Sequence, residues 1–363
     1  MSGYVLSASI QERFGREPIE VADLGNDQLK AVNSFGTSLT IPNALLPITV
    51  EEYNTILNQP MLDDDQRQYA FKVGTAYYKA GPLAVIGGKA VSRTGSDRYQ
   101  ADYLPILFAI MCRLMHESSK SLQNVTATIT HPPGNGQYAK DITKLIKGKH
   151  RVTNIYGTLT IEVARCLTLE EGTCGVYNLI LNSGTEVIQS SLLQGLLQGS
   201  TAVLDFGGHN IAATQLLNGQ YHNFRVAYQA GILEFRYQLE QLIRSHLKRE
   251  EGISLDVIPN WLMDSILATG VVSTGTGSYN VKALIDGSVQ SLLAVAEGLL
   301  AEIGGTANTN LVFTGGGTGL LHDYLRKDAF GFRTFYFAGD PEEIRFANAY
   351  GALKLTAHLL RKG

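Results

Sequence analysis

Two short segments of this 363-residue chain repeat each other across half its length. Asp23-Leu24-Gly25-Asn26 and Asp205-Phe206-Gly207-Gly208 each close an apolar run, and each leads into a second one. Asp23 and Asp205 stand 182 residues apart, half of the chain. One such segment is compatible with an ordinary tight turn. The same strand-turn-strand device in each half points to a duplicated, two-lobed α/β architecture. A length of 363 residues also fits about two domains. No period of roughly 20–50 residues indicates a solenoid.

The runs between these segments follow the two secondary-structure periods. Residues 19–22 and 125–130 read as strands, with more strands up to about 169. A helical period covers 102–119 (Leu104, Leu107, Phe108, Met111, Leu114, Met115), and a basic amphipathic helix covers 137–147. Its lysines, with Lys149, His150 and Arg151, read as a solvated face. Helical patterning runs over 173–197, with a break at Ser183-Gly184. In the second half, 211–217 and 220–226 read as strands joined by Asn218-Gly219, a pair that favours a type I′ hairpin. Long helices are expected over 228–250 and 281–303, a strand over 311–314 and a helical C-terminus over 341–361. Residues 1–17 read as peripheral. Residues 40–100 hold Pro42, Pro47, Pro60 and the Asp63-Asp64-Asp65 run, and they read as an irregular inserted lobe.

Each Asp-x-Gly turn has the chemistry of half a phosphate clamp. Glycine lets backbone N–H groups approach phosphate oxygens. A carboxylate at the strand end can hold Mg2+, through water, because that ion dehydrates reluctantly. Lys30, returning on the second strand, can neutralise a phosphate. A third glycine-rich turn, Gly315-Gly316-Gly317-Thr318, follows an apolar strand and lets flat backbone lie against a base or ribose. The chain has no G-x-x-x-x-G-K-[ST] phosphate loop, and the third turn lacks the G-x-G-x-x-G pattern of a dinucleotide fold. These turns use a fraction of the 38 glycines, a count that stands out against 10 prolines.

Composition removes other classes. Formal net charge is −3, so no global basic field points to direct nucleic-acid or membrane binding. Three cysteines (Cys112, Cys166, Cys174) without a C-x-x-C pair argue against a disulfide framework or a zinc site. Glu12, Arg13, Arg16 and Glu17 interrupt any signal-peptide core, and Arg113 breaks the apolar stretch 104–115. A cytoplasmic location is the expectation.

Together these motifs resemble the actin superfamily of ATPases, shared by actin, the seventy-kilodalton heat-shock chaperones and sugar kinases. The nearest resemblance is to plasmid-segregating bacterial actins of the ParM/StbA type. On that resemblance residues 23–30 are similar to the first phosphate loop, 205–210 to the second and 315–318 to the adenosine loop. Residues 169–175 are similar to the first connecting segment, where the family orients the attacking water with Glu or Gln, and 346–354 to the second connecting helix. The five motifs stand in the family's order over residues 19–355. The second loop departs from it, with Gly208-His209-Asn210 where many relatives carry Thr-Thr or Thr followed by Asp.

The resemblance implies a duplicated actin/ribonuclease-H-like fold with a nucleotide cleft between its lobes. It divides the chain into a first lobe (1–200, with an inserted subdomain at about 40–100), a second lobe (201–340) and a C-terminal helix (341–363) returning to the first lobe. ATP, or GTP, binds with Mg2+ held by Asp23 and Asp205. Gly25, Asn26, Lys30, Gly207, Gly208, His209 and Asn210 contact phosphates. Glu234, Gln238, Gly315, Gly316, Gly317 and Thr318 border the nucleoside. Glu171, with Glu170 as the alternative, orients the water. The implied activity is ATP hydrolysis coupled to head-to-tail polymerisation. The implied role is plasmid segregation through a DNA-binding adaptor on a centromere. A scaffold that hydrolyses slowly or not at all, and a small-molecule kinase, are the rival readings.

Overall fold

A computed structural model of the chain describes residues 6–86, 91–92, 100–118, 124–306, 309–327, 330–332 and 334–362. Two sheets carry the architecture, and the cores of both have one topology. In the first sheet, Ser38–Pro42, Gln28–Asn33, Ile19–Leu24, Val125–His131 and Gly157–Glu170 lie side by side in that order. The first three run antiparallel and the last three parallel. In the second sheet, Gln220–Tyr228, Asn210–Leu217, Ser200–Phe206, Asn310–Thr314 and Phe335–Phe337 repeat the order and the directions. The central strand of the first sheet is buried along its whole length, as a strand covered on both faces must be.

The duplication extends to register. Asp23 sits opposite Lys30 on one neighbour and Thr130 on the other. Asp205 sits opposite Ala212 and Thr314 in the matching positions. The hairpin of the second sheet turns at Asn218 (φ 51°) and Gly219 (φ 73°), the left-handed pair that a type I′ turn requires.

Two helices cross between the sheets. Glu171–Ile180 packs Val176 and Ile180 against Val203, Leu216 and Val312 of the second sheet. Ala347–Lys362 packs Ala349, Leu353 and Ala357 against Ile19, Val21 and Val32 of the first. They touch at Gly351, where a Cβ would stand 1.7 Å from the Cys174 carbonyl oxygen. No other residue permits that approach.

Three expectations need correction. The stretch 40–100 is not irregular where it is described. Strands Ala44–Ile48, Ala70–Val73, Ala76–Ala80 and Val91–Ser92 extend the first sheet, joined to it where Lys72 and Val73 pair with Thr153 and Val152. The acidic run in it begins a helix, because Asp63 caps Asp64–Arg67 by accepting from the Gln66 amide at 2.7 Å. The N-terminal segment is not peripheral. Leu6, Ile10 and Phe14, spaced four apart around helix Ala8–Arg13, are buried against the C-terminal helix. The helix after the hairpin is Ile232–Glu250, because Tyr228 still belongs to the strand and the turn at 229–231 separates the two.

Helix Lys282–Glu302 is long and apolar enough to cross a membrane by length and composition. Its Ile285, Val289, Leu293, Ala296 and Leu300 are buried in the core around the second sheet, with Leu239 and Ile243.

Candidate functional site

The two aspartates end their strands facing one another across a cleft of about 550 Å3 between the sheets. That volume lies within the range of sites for small molecules and cofactors. Asp23 is buried, accepts from the Thr130 hydroxyl at 2.9 Å and has Lys30 Nζ 3.7 Å away. Asp205 accepts from Asn348 Nδ2 at 2.9 Å. Burial pushes the Asp205 carboxyl above its ordinary pKa and Asp23 adds to that, while Lys30 and the Asn348 hydrogen bond oppose it.

Both turns are held by hydrogen bonds. In the first, Asn43 Nδ2 donates to the Gly25 carbonyl at 2.7 Å and the Asn43 amide to the Asp27 carbonyl at 2.8 Å. Asn43 is itself fixed by the Tyr103 hydroxyl. In the second, the Gly207 amide donates to the Asn210 carbonyl at 2.9 Å. The first amides of helix Ile232–Glu250 donate back to the loop, Ile232 to the Gly207 carbonyl (3.0 Å) and Leu233 to the Gly208 carbonyl (2.9 Å). Among the described residues, no acceptor takes up the Gly208 and His209 amides. The third turn presses on the second. Gly315 (φ +91°) lies so close to Asp205 that a Cβ would stand 2.2 Å from its Oδ1.

No protein-family model matches the chain, and no curated protein matches it in sequence. Solved structures do match. The apo ParM protein of pSK41 superposes with a TM-score of 0.70 at 16% identity, over 96% of this chain and 98% of that one. The archaeal actin homolog Ta0583 gives 0.71 at 16% identity, over 94% and 99%. ParM of Bacillus thuringiensis, solved with ATP, gives 0.68 at 15% identity, over 96% and 99%. This chain has the actin-like fold.

The actin-like cleft collects most of the residues singled out from the sequence. Asp23, Gly25, Asn26, Lys30, Glu171, Asp205, Gly207, Gly208, Asn210, Gly316 and Gly317 all line it. Glu171 does so as the first residue of its helix. Glu170 ends the preceding strand outside the lining, half-buried, with its carboxyl pKa raised by burial.

Five residues are not among the lining. Thr318 is fully buried, and its hydroxyl donates to the Thr314 carbonyl one turn back at 2.5 Å. Gly315 packs behind Asp205, out of the cleft. His209 Nδ1 lies 2.7 Å from Glu234 Oε1, so each engages the other. Glu234 and Gln238 line a separate cavity of about 290 Å3 between helices Ile232–Glu250 and Lys282–Glu302. At about 100° per residue Glu234 and Gln238 share one face of this helix, and the opposite face turns Ile232, Leu233 and Arg236 toward the cleft.

Sequence reasoning missed Asp27, Arg236, Asp264, Arg345 and Asn348, all of which line the actin-like cleft. Arg236 pairs with Asp264 there. In sequence both resemble solvated polar positions of helices, and only the packing of Ile232–Glu250 against Asn260–Thr269 distinguishes them. Among the described residues no three His, Cys, Asp or Glu side chains form a metal cage. Five carboxylates line the cleft, Asp23, Asp27, Glu171, Asp205 and Asp264, and Asp264 is already paired with Arg236.

Proposed function

We propose that the chain is a nucleotide-dependent polymerising ATPase, binding ATP with Mg2+ in this cleft. The observation that carries the proposal is the register match. Asp23 and Asp205 occupy the same position in two copies of one sheet and line a single cleft with the glycine turns that follow them. In support, ParM of Bacillus thuringiensis is solved with ATP and Ta0583 in complex with ADP.

The residues present fit such a group. Two carboxylates suit a hydrated divalent ion, and the unengaged amides at Gly208 and His209 suit phosphate oxygens. When bound, Mg2+ supplies neutralisation of charge on the phosphates. Asp23 and Asp205 would hold it through water, and Lys30 adds a positive charge beside Asp23. Gly25, Asn26, Gly207, Gly208 and Asn210 cradle phosphate, in part through backbone amides. Glu171 accepts a hydrogen bond from the attacking water and aligns it, work that consists of positioning and electrostatics. Ile232, Arg236, Gly316 and Gly317 surround the nucleoside end.

The lobes are residues 1–200 and 201–340, with 341–363 returning to the first. Nucleotide binds both lobes at once and so favours the closed arrangement, and closure favours head-to-tail contacts between copies, the open geometry that yields filaments. The role that accompanies this reading is segregation of plasmid DNA in the cytoplasm through a separate DNA-binding adaptor. Calorimetric titration tests the nucleotide step. Mg-ATP binds the wild type, and Asp205→Asn weakens that binding by about tenfold or more, the scale of a lost charge contact. Equal affinities reject the site.

A further inference from the structure

A second and larger cavity, about 840 Å3, lies at the other end of the two crossing helices. Asn178 and Lys354 reach it from those helices, His322 and Arg326 from helix Gly316–Lys327, and Phe335 and Phe337 from the last strand. None of its lining residues lines the nucleotide cleft. Asn348 at the cleft and Lys354 at the cavity stand six positions apart on one helix, a rise of about 9 Å.

The polar groups in it are those of a built site. Asn178 is only 5% exposed. Its Nδ2 donates to the Ala338 carbonyl at 2.8 Å, and its Oδ1 is buried with no hydrogen-bond partner among the described residues. A buried amide oxygen left unbonded costs about 1–3 kcal/mol, so such an atom marks a place for a donor. Lys354, 3% exposed, donates from Nζ to the Asn178 carbonyl at 2.9 Å. Burial lowers its pKa to about 8. Arg326 is exposed and makes no ion pair among the described residues. His322 Nδ1 lies 3.2 Å from Asp323 Oδ1, and its ring packs 4.4 Å from that of Phe337. Asp340 is the one carboxylate among the described lining residues. Phe335 and Phe337, edge to face with centroids 6.1 Å apart, supply an aromatic wall.

We propose that this cavity is a second ligand site, for a small molecule that joins a flat apolar ring system to a single anionic group. Arg326 and Lys354 hold the anion, by the charge-assisted hydrogen bonds that favour carboxylate, sulfonate and phosphate alike. The rings lie against Phe335 and Phe337, which stand in a cluster with Phe313. The site stands apart from the nucleotide proposal, because no residue is shared.

The probe is 8-anilinonaphthalene-1-sulfonate, titrated into the full chain by fluorescence with and without excess Mg-ATP. We expect saturable one-to-one binding that ATP does not displace. Arg326→Ala and Lys354→Met should each weaken it by about tenfold, the equivalent of one charged hydrogen bond. The uncharged N-phenyl-1-naphthylamine should bind weaker by a similar factor. Arg326 is exposed, so its variant keeps the fold even where Lys354→Met does not, and its circular dichroism and unfolding midpoint check this. The proposal is overturned by the absence of saturable binding, by displacement with ATP, by unchanged affinity in Arg326→Ala, or by equal affinity for the uncharged probe.

Discussion

Asn348, on the first turn of the last helix, donates from Nδ2 to the Asp205 carboxylate at 2.9 Å. A helix packed on the first sheet is thereby tied to a strand end of the second. The other side of the same amide, Oδ1, is buried without a partner among the described residues and lies beside Gly175 of the crossing helix, as does the unpartnered hydroxyl of Thr314. Any group that changes the charge around Asp205 acts directly on this junction.

Asn348→Asp places a second carboxylate against Asp205, raising its pKa further and making the pair harder to ionise together. Mg-ATP affinity should fall by about tenfold or more, with Asn348→Ala showing a smaller loss. Calorimetry measures both. An unchanged affinity in the aspartate variant contradicts the role assigned to Asp205.

Gly351→Ala tests the helix crossing. The added Cβ would overlap the Cys174 carbonyl, a backbone atom that cannot swing away. Forcing the two helices apart should cost about 1–3 kcal/mol or more, because the surrounding core is close-packed. A thermal melt should show a lower midpoint or a loss of soluble protein. A midpoint equal to the wild type means that the helices are not so tightly crossed.

Glu20 provides a test by pH. It is 2% exposed on the central strand of the first sheet, and neither carboxylate oxygen is hydrogen-bonded among the described residues. Burial drives its pKa well above the ordinary range, with nearby Asn33 opposing. The folded state therefore holds this proton more tightly than the unfolded chain. Its stabilising effect is complete below the unfolded carboxyl pKa, about 4, and is lost as pH rises through the raised folded value. Glu20→Gln removes the titration, so its stability in urea should gain on the wild type as pH rises. Parallel pH profiles contradict the assignment.

The sequence carried the parts of this site that depend on backbone geometry. Asp23 and Asp205 could be found because a carboxylate followed by glycine at a strand end is a local pattern, and its repetition at half-length is a global one. The face that helix Ile232–Glu250 turns to the cleft was not legible. Glu234 and Gln238 stand one turn apart on that helix, yet its rotation is set by Phe235, Leu239 and Ile243 in the core, and it delivers Arg236 to the cleft. The resemblance places Thr318 at the nucleoside, and in the structure its hydroxyl bonds inside its own helix. Asp264 carries no local signal, since its role comes from pairing with Arg236 28 residues away.

Glu171 lines the cleft and Glu170, the residue before it, does not, so a pair of variants can tell them apart. Glu171→Ala should release phosphate about a hundredfold more slowly from assembled protein while binding Mg-ATP as before, the mark of a group that aligns water in the transition state. Glu170→Ala should leave the rate near wild type. A reversal of the two results would assign the water to Glu170.

The central claim is that nucleotide in the cleft drives self-assembly. Right-angle light scattering of the purified chain, followed while Mg-ATP is added and phosphate release is read in parallel, tests it most directly. The account predicts a concentration-dependent rise in scattering with Mg-ATP, its decline as phosphate is released, and no rise with Asp205→Asn. A chain that stays monomeric with Mg-ATP at every concentration and crowding condition contradicts it.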